Sequence, residues 1–377
     1  MRFAVLVLAL LIAGCEQGAG SSNPHTVGST SPAATPVPLG ALPLAVVVKD
    51  FLVEGGSTYS VSLVGLDGRV ATTATAAKRS RPAGVAVQMP SVSASNSRLY
   101  YLDGDSKVMY LLPSGAKGLA TSIAIDSSSA AVFAVSPDDA RIAVGVITFP
   151  YPAKTRIYVE DLAGGGHHVE LFSSGDVIEW PAGWHQGQLV VAVGLNRAPL
   201  WDAYEGFLYG INGYHVVDAG TGARMATVCD GSLYFPPFVP GLGPPGPAGA
   251  VCVSGSSCAK SNWNGVTRDV SCDTRGRAPV LAPDGGMVGF CGHEVPAVIF
   301  WVIGDSSPQP TPYRGCPAGW IDATHVVVIG LDGSLGVMQL NRRSSPSGGQ
   351  LPLDVDHLVV VPIHAKGFFA GTIPGEL

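Results

Sequence analysis

The sequence predicts an all-β fold of repeated sheets of short strands, and three observations predict it. First, a phrase is written twice. "PAGWHQGQLVVAVG" from Pro181 and "PAGWIDATHVVVIG" from Pro317 share four letters and the same spacing to a glycine, Gly194 or Gly330. Second, the same grammar recurs from Val92, Val135 and Leu281: a short apolar run, a polar turn, then alternating apolar residues. Aligning Ser93, Ser136, Trp184, Ala282 and Trp320 gives steps of 43, 48, 98 and 38 residues. The long step holds two units, one of them degenerate and expected near Ser232, within "SLYFPPFVPGLGPPGPAGAVCVSG". A period in the forties made of short strands is the pattern of a β-propeller. Third, Gly (49) and Pro (30) are abundant and only 13% of residues are charged, which favours turns over amphipathic helices.

The elements run in chain order. "MRFAVLVLALLIAGC" carries one Arg, an apolar run from Phe3 to Ile12, then Ala13, Gly14 and Cys15. The run is too short to cross a bilayer as a helix, which takes about 20 residues, and it fits an export signal over residues 1–14. Residues 15–43 are rich in Ser, Thr, Pro, Gly and Ala. They carry too little apolar surface to order themselves and are expected to form a tether. The propeller domain is expected over 44–377. Its first unit, "LAVVVKDF…TYSVSLVGLDGRVATTATA", shows three strands, and "KGFFAGTI" (Lys366–Ile373) remains after the last unit. That C-terminal strand is expected to supply the missing inner strand of the first blade and close the ring, since free ends would leave open sheet edges. Seven blades need about 48 residues each, matching the observed steps. Six blades, the alternative, need about 56 and fit less well.

The second half of each unit is a hairpin, as in "SKVMYLLPSG", "TRIYVEDLAGGGHHVEL" and "GYHVVDAGTGARMATV". "VSPDDARIAVG…TRIYVEDLAGG", Val135 to Gly165, resembles the WD40-like (PD40) repeat of the TolB-type propellers, and "APDGG" from Ala282 matches it again. The resemblance implies the fold, not the activity. Leu11-Ile12-Ala13-Gly14-Cys15 resembles the bacterial lipobox. That implies cleavage before Cys15 and a lipid on its thiol, hence an extracytoplasmic protein held to a bacterial membrane through Cys15 alone, since several acyl chains anchor stably.

The other six cysteines, Cys229, Cys252, Cys258, Cys272, Cys291 and Cys316, are even in number and exported, so three disulfides are expected. Cys252–Cys258, closing a small loop, is the expected first pair. No metal site is expected, because the spacings lack the CxxC of zinc sites. "HEVPA" at His293 lacks the second ligand of a zinc-protease helix. His167 and His168, as neighbours on a strand, point to opposite faces and are expected in an exposed turn. Asp103-Gly104-Asp105 reads as a hairpin turn, lacking the later ligands of a calcium loop. Trp184 and Trp320 hold one place in their blades and are expected to be wedges between blades, the alternative being an aromatic rim for a ligand.

The stretch "NRAPLWDAYEGFLYGINGYH" (Asn196–His215) is the candidate ligand-binding loop, with Trp201, Asp202, Tyr204, Glu205, Tyr209 and Tyr214. Loops on a rigid scaffold carry binding, and aromatic rings beside carboxylates suit a sugar or a peptide. The loop Phe235–Pro247 is a second, weaker candidate. No catalytic residue and no cofactor are expected: G-x-S-x-G is absent. The net charge of −6, with no basic block, speaks against nucleic acid. The expected function is therefore a monomeric envelope lipoprotein that binds or scaffolds an envelope protein or a cell-wall polymer. The alternative is an exported propeller enzyme acting on glycans or sugars: a hydrolase, a lyase or a quinone-dependent dehydrogenase.

Overall fold

The structure is a computed structural model. It describes residues 42–49, 56–80, 91–150, 152–195, 211–229, 245–254, 257–270, 279–292, 296–305, 307–344, 350–355 and 358–377, all in the unit Pro38–Leu377. Residues 1–41, Cys15 among them, lie outside the described residues.

The described chain is an all-β propeller. Blade 1 contains β1 (Leu44–Lys49), β2 (Thr58–Val64) and β3 (Val70–Ala77). Blade 2 is β4 (Val92–Ala94), β5 (Leu99–Asp103), β6 (Lys107–Leu111) and β7 (Lys117–Ser122). Blade 3 is β8 (Ser129–Val135), β9 (Arg141–Thr148), β10 (Lys154–Asp161) and β11 (Val169–Ser174). Blade 4 is β12 (Val177–His185), β13 (Gln188–Leu195), β14 (Ile211–Val217) and β15 (Arg224–Val228). Blade 5 shows three strands, β16 (Ala250–Ser254), β17 (Ser257–Ser261) and β18 (Thr267–Val270). The strand expected near Ser232 lies outside the described residues.

The rest is one long sheet: β19 (Val280–Leu281), β20 (Met287–Cys291), β21 (Ala297–Val302), β22 (Gln309–Trp320), β23 (His325–Gly330) and β24 (Leu335–Gln339). A separate hairpin, β25 (Arg342–Ser344) with β26 (Gln350–Leu353), comes after β24, and β27 (Val359–Pro362) then completes the long sheet. The last strand, β28 (Phe368–Ile373), joins blade 1, whose order is β28-β1-β2-β3. Phe368 pairs with Val48 and Phe369 with Val47, the pairing anticipated for this strand.

The expected seven separate blades are corrected to five separate blades and a seven-stranded sheet among the described residues. The physical reason is β22. Its first half, Gln309 to Arg314, pairs with β21, and its second half, Gly315 to Trp320, pairs with β23. One unbroken strand thus serves as the outer strand of one unit and the inner strand of the next.

Sequence dictates radial position. All seven residues of β8, "SAAVFAV", are buried, because an inner strand is covered by neighbouring blades on both faces. The outer strands β7 and β11 hold no fully buried residue. The first-edge strands touch in succession: β22 with β28, β28 with β4, β4 with β8, and β8 with β12. Core clusters join blade 1 to 2 (Val61 with Tyr101), 2 to 3 (Leu102 with Phe133), and 3 to 4 (Ile157 with Val191). Another joins the end of the long sheet to blade 1 (Val337 with Val47). Burying each such side chain contributes about 1.5–3 kcal/mol.

The turns repeat as closely as the strands. In "SPDD" Ser136 N donates to Arg141 O and Asp139 N to Ser136 O, and in "APDGG" Ala282 N donates to Met287 O and Gly285 N to Ala282 O. Asp139 (φ 61°) and Gly285 (φ 67°) take the same left-handed backbone. The Asp before each accepts from the backbone two residues on, Asp138 from Ala140 N and Asp284 from Gly286 N.

A second regularity links blade to blade. The glycine in the turn between the last two strands of each blade leans on the outer strand of the blade before it. A β-carbon at Gly115 would meet Thr72, one at Gly164 Thr121, one at Gly222 Leu171 and one at Gly265 Thr227. Gly68 of blade 1 meets Pro362 on β27, and His364 N donates to Gly68 O at 3.0 Å.

Candidate functional site

The repeated PAGW phrase lies on two equivalent strands, β12 and the end of β22. Each carries a bulge at the same place. The register shifts between Pro181 and Gly183 against β13, and between Pro317 and Gly319 against β23. The extra residue bends the strand and re-aims the side chains beyond it. In both strands the side chain so re-aimed is a tryptophan. Trp184 Nε1 donates to Ala134 O on β8 at 3.1 Å, and Trp320 Nε1 donates to Val280 O on β19 at 3.2 Å. Trp184 is 1% exposed, with the Arg141 guanidinium 4.8 Å from its ring centroid. Phe300 packs 5.7 Å from Trp320. Both rings are wedges against the preceding inner strand, as expected, and neither forms a rim.

The glycine of each phrase is a socket. A β-carbon at Gly319 would collide with the ring of Phe369 from β28, and one at Gly183 would collide with the side chain of Leu377. Both sockets are filled by the last stretch of the described chain. After β28 that stretch reaches the inner-strand ends of two blades, blade 2 and blade 4. Gly375 N donates to Ser95 O at 3.1 Å and Leu377 N to Trp184 O at 2.8 Å. The Glu376 carboxylate accepts from Gln186 N at 2.9 Å, and His185 Nδ1 contacts Leu377 O. Leu377 packs on the cluster that includes Trp180, Ala182 and Trp263.

Sequence reasoning missed two charged features. On β12 the buried Glu179, 3% exposed, meets His215 Nδ1 on β14 at 2.9 Å. Thr155 Oγ1 of blade 3 accepts from Glu179 N at 3.4 Å. A carboxylate so placed fixes the orientation of the imidazole. The signal was a glutamate inside an inner-strand run, "VIEWPAGW". The second feature is Arg79, just after β3, whose Nη2 donates to Ala131 O at 2.5 Å on the inner strand β8. Burial lowers its pKa to about 10, while Tyr59 and Asp105 oppose that shift. No pattern in the sequence singles it out.

Of the candidate loop, Trp201, Asp202, Tyr204, Glu205 and Tyr209 lie outside the described residues, as do residues 235–244 of the second loop. Tyr214 is described and belongs to the core, which corrects its place in an overhanging loop. It is fully buried on β14, edge-on to Trp263 at 5.7 Å. Burial raises its hydroxyl pKa, and its oxygen has no hydrogen-bond partner among the described residues. The reason is register: Tyr214 faces Ala192 on β13, inside the sheet.

His167 and His168 turn to different partners. His167 pairs with Asp161 at 2.9 Å, and His168 lies between Glu160 at 3.0 Å and Glu170 at 3.1 Å. Asp103 and Asp105 accept from Ala77 N and Ser80 N and so staple blade 2 to the end of blade 1. His293 lies outside the described residues. Among them, no group of three His, Cys, Asp or Glu is placed to hold a metal.

The disulfides correct the Cys252–Cys258 expectation. Cys229 pairs with Cys252, and Cys291 pairs with Cys316. Cys258 is disulfide-bonded as well, and Cys272 lies outside the described residues. On the β16–β17 hairpin Cys252 faces Ala259 while Cys258 faces Val253, so the two thiols leave opposite faces of the sheet. Cys229–Cys252 instead joins blade 4 to blade 5.

No known family model matches the chain, and no curated protein matches it. Among solved structures it is similar to TolB from Acinetobacter baumannii, at 12% identity and a TM-score of 0.40 over 72% of this chain. The chain spans 64% of that TolB chain's length. It is also similar to the periplasmic gluconolactonase PpgL of Pseudomonas aeruginosa (13% identity, TM-score 0.43, 88% of this chain and 98% of that one). A third is BamB of Moraxella catarrhalis (15% identity, TM-score 0.35, 70% of this chain and 75% of that one). The propeller assignment rests on the strand pairing described above.

Proposed function

We propose that this chain is an extracytoplasmic protein whose propeller, a closed ring of seven units, binds or scaffolds a protein or cell-wall partner, held to a membrane by a lipid on Cys15. The observation that carries the reading is the inner strands. Among the described residues β4, β8, β12, β19, β22 and β28 carry a single carboxylate, Glu179, and the sheet itself engages it through His215. Surfaces so apolar hold blades together and leave recognition to the turns and loops at the rims. The disulfides support export, since they persist in oxidising compartments. The pairing of β28 with β1 and the contact of Gly68 with Pro362 support a closed ring.

The test is metabolic labelling with an alkynyl fatty acid, then crosslinking on intact cells. The full chain is expected to take up label, to pellet with membranes and to crosslink to one envelope protein or to peptidoglycan. Cys15→Ser is expected to lose label and pelleting. Unlabelled, soluble wild-type chain would remove the anchored reading.

The Glu179–His215 pair favours a second reading, an enzyme acting on glycans or sugars. Turnover of such a substrate by purified chain, lost in Glu179→Gln with the fold intact, would replace the binding function.

A further inference from the structure

We propose that the inner-strand ends of blades 2 and 4 form a peptide-binding groove that this chain keeps closed with its own residues Gly375–Leu377, and that its ligand class is an extended segment with a glycine, an acidic residue and a leucine in succession. This deepens the binding reading and rests on it. Three features of the groove recognise a peptide as such. Ser95 O and Trp184 O accept the two alternate backbone N–H groups of Gly375 and Leu377. His185 Nδ1 meets Leu377 O. Alternate donors two residues apart are the hydrogen-bonding edge of an extended strand, the means by which peptides add to open backbone edges.

Three further features select side chains. At Gly375 a β-carbon would collide with Ala94 O, so only glycine passes. The backbone N–H of Gln186, a residue at positive φ (48°), takes a carboxylate. Gly183 opens the socket that Leu377 fills. The second PAGW phrase has the same socket, but Phe369 fills it from within a paired strand, so it is not open to competition. The groove on blade 4 is held by residues past the end of β28, beyond any ladder pairing. A tethered segment competes at an effective concentration of about millimolar, so it blocks weak ligands and yields to a partner that adds contacts.

The probe is a fluorescein-labelled peptide of Thr372–Leu377, TIPGEL, measured by anisotropy against purified full chain. Glu376→Lys combined with Leu377→Lys, which expels the segment, is expected to bind the probe at least about tenfold more tightly than wild type. Adding Gly183→Leu to that variant is expected to abolish binding. A folded double variant that ignores the probe, or binding that survives Gly183→Leu, overturns the proposal. Should the double variant not fold, amide exchange on wild type decides. Leu377 N–H is expected to exchange by local opening at least about a hundredfold faster than Val190 N–H on β13. Equal protection of the two overturns it. None of these readouts requires the membrane anchor or an envelope partner, so their failure is distinct from failure of the anchored-scaffold reading.

Discussion

The indole N–H of Trp184 donates to the carbonyl of Ala134, from the inner strand of one blade to the inner strand of the blade before it. Trp320 and Val280 make the same bond across the two halves of the long sheet. A buried carbonyl that loses its donor carries an uncompensated desolvation cost of about 1–3 kcal/mol. Trp184→Phe and Trp320→Phe are each expected to destabilise by that amount, and either Trp→Ala by about 3–5 kcal/mol because a cavity adds to the loss. The two sites share no partner, so the Phe effects are expected to add within about 0.5 kcal/mol. Urea unfolding midpoints check this. Unchanged midpoints for both Phe variants would show that the rings do not act as wedges.

The contact of Gly68 with Pro362 is testable against an internal standard. Gly68 (φ 73°) and Gly104 (φ 68°) have nearly the same left-handed backbone. A β-carbon at Gly104 meets nothing within 4 Å, whereas at Gly68 it would collide with Pro362 O. Gly104→Ala is expected to cost about 1 kcal/mol from backbone strain alone. Gly68→Ala is expected to cost about 2–4 kcal/mol, the excess being overpacking where blade 1 meets β27. Equal losses in thermal unfolding would mean that β27 does not bear on blade 1.

The propeller was legible because inner strands covered on both faces must read as unbroken apolar runs, as "AVFAV" in β8 does, and because turns such as "SPDD" impose residue types. The role of PAGW as wedge plus socket was not legible. A glycine's spelling does not reveal that Leu377, far off in sequence, will occupy the space its missing side chain leaves. The separation of the last two units was over-read at β22, where Gly315 stands at the passage from one unit to the next yet the strand runs through it unbroken. The disulfide pairing failed for a similar reason. Cys252 and Cys258 are close in sequence, yet the alternation of a strand sends their side chains apart. Glu179 and His215 meet diagonally across β13, and a linear reading has no signal for a register-dependent pair.

The Cys229–Cys252 bond joins neighbouring blades across 23 residues and Cys291–Cys316 spans 25. Chain-entropy arguments assign each about 3 kcal/mol. Cys229→Ala with Cys252→Ala is expected to lower stability by that much, and reductant is expected to lower the wild-type unfolding temperature. Calorimetry with and without dithiothreitol checks it. An unchanged unfolding temperature in reductant would show that these bonds carry no net stability.

His168 gives a pH dependence of definite sign. Glu160 first, then Glu170, raises its pKa by hydrogen bonding the charged imidazole. The folded state therefore holds the proton more tightly than the unfolded chain. The stabilisation is full below the unfolded value of about 6.5 and is lost as pH rises through the raised folded value. With 42% of the side chain exposed, solvent screening limits the effect to about 0.5 kcal/mol. His168→Ala is expected to lower the unfolding temperature at about pH 5.5 and to match wild type at about pH 8.5. A deficit of equal size at both values would assign His168 a packing role against Tyr158, whose ring lies 4.6 Å away, and not an electrostatic one.

Tyr214 separates packing from binding at the candidate loop. Its ring is wholly buried against Trp263, and its hydroxyl is enclosed without a partner among the described residues. A hydroxyl in that position carries its desolvation cost with nothing to offset it, about 1–3 kcal/mol. Tyr214→Phe keeps the ring and removes the cost, so it is expected to leave stability unchanged or raise it by about 1 kcal/mol, with partner binding unaltered. Tyr214→Ala is expected to lose about 3–5 kcal/mol through the cavity. The comparison is made by urea unfolding together with crosslinking to the envelope partner. If Tyr214→Phe instead weakens crosslinking at unchanged stability, the hydroxyl reaches a ligand, and the blade 4 insertion that precedes it becomes the binding element.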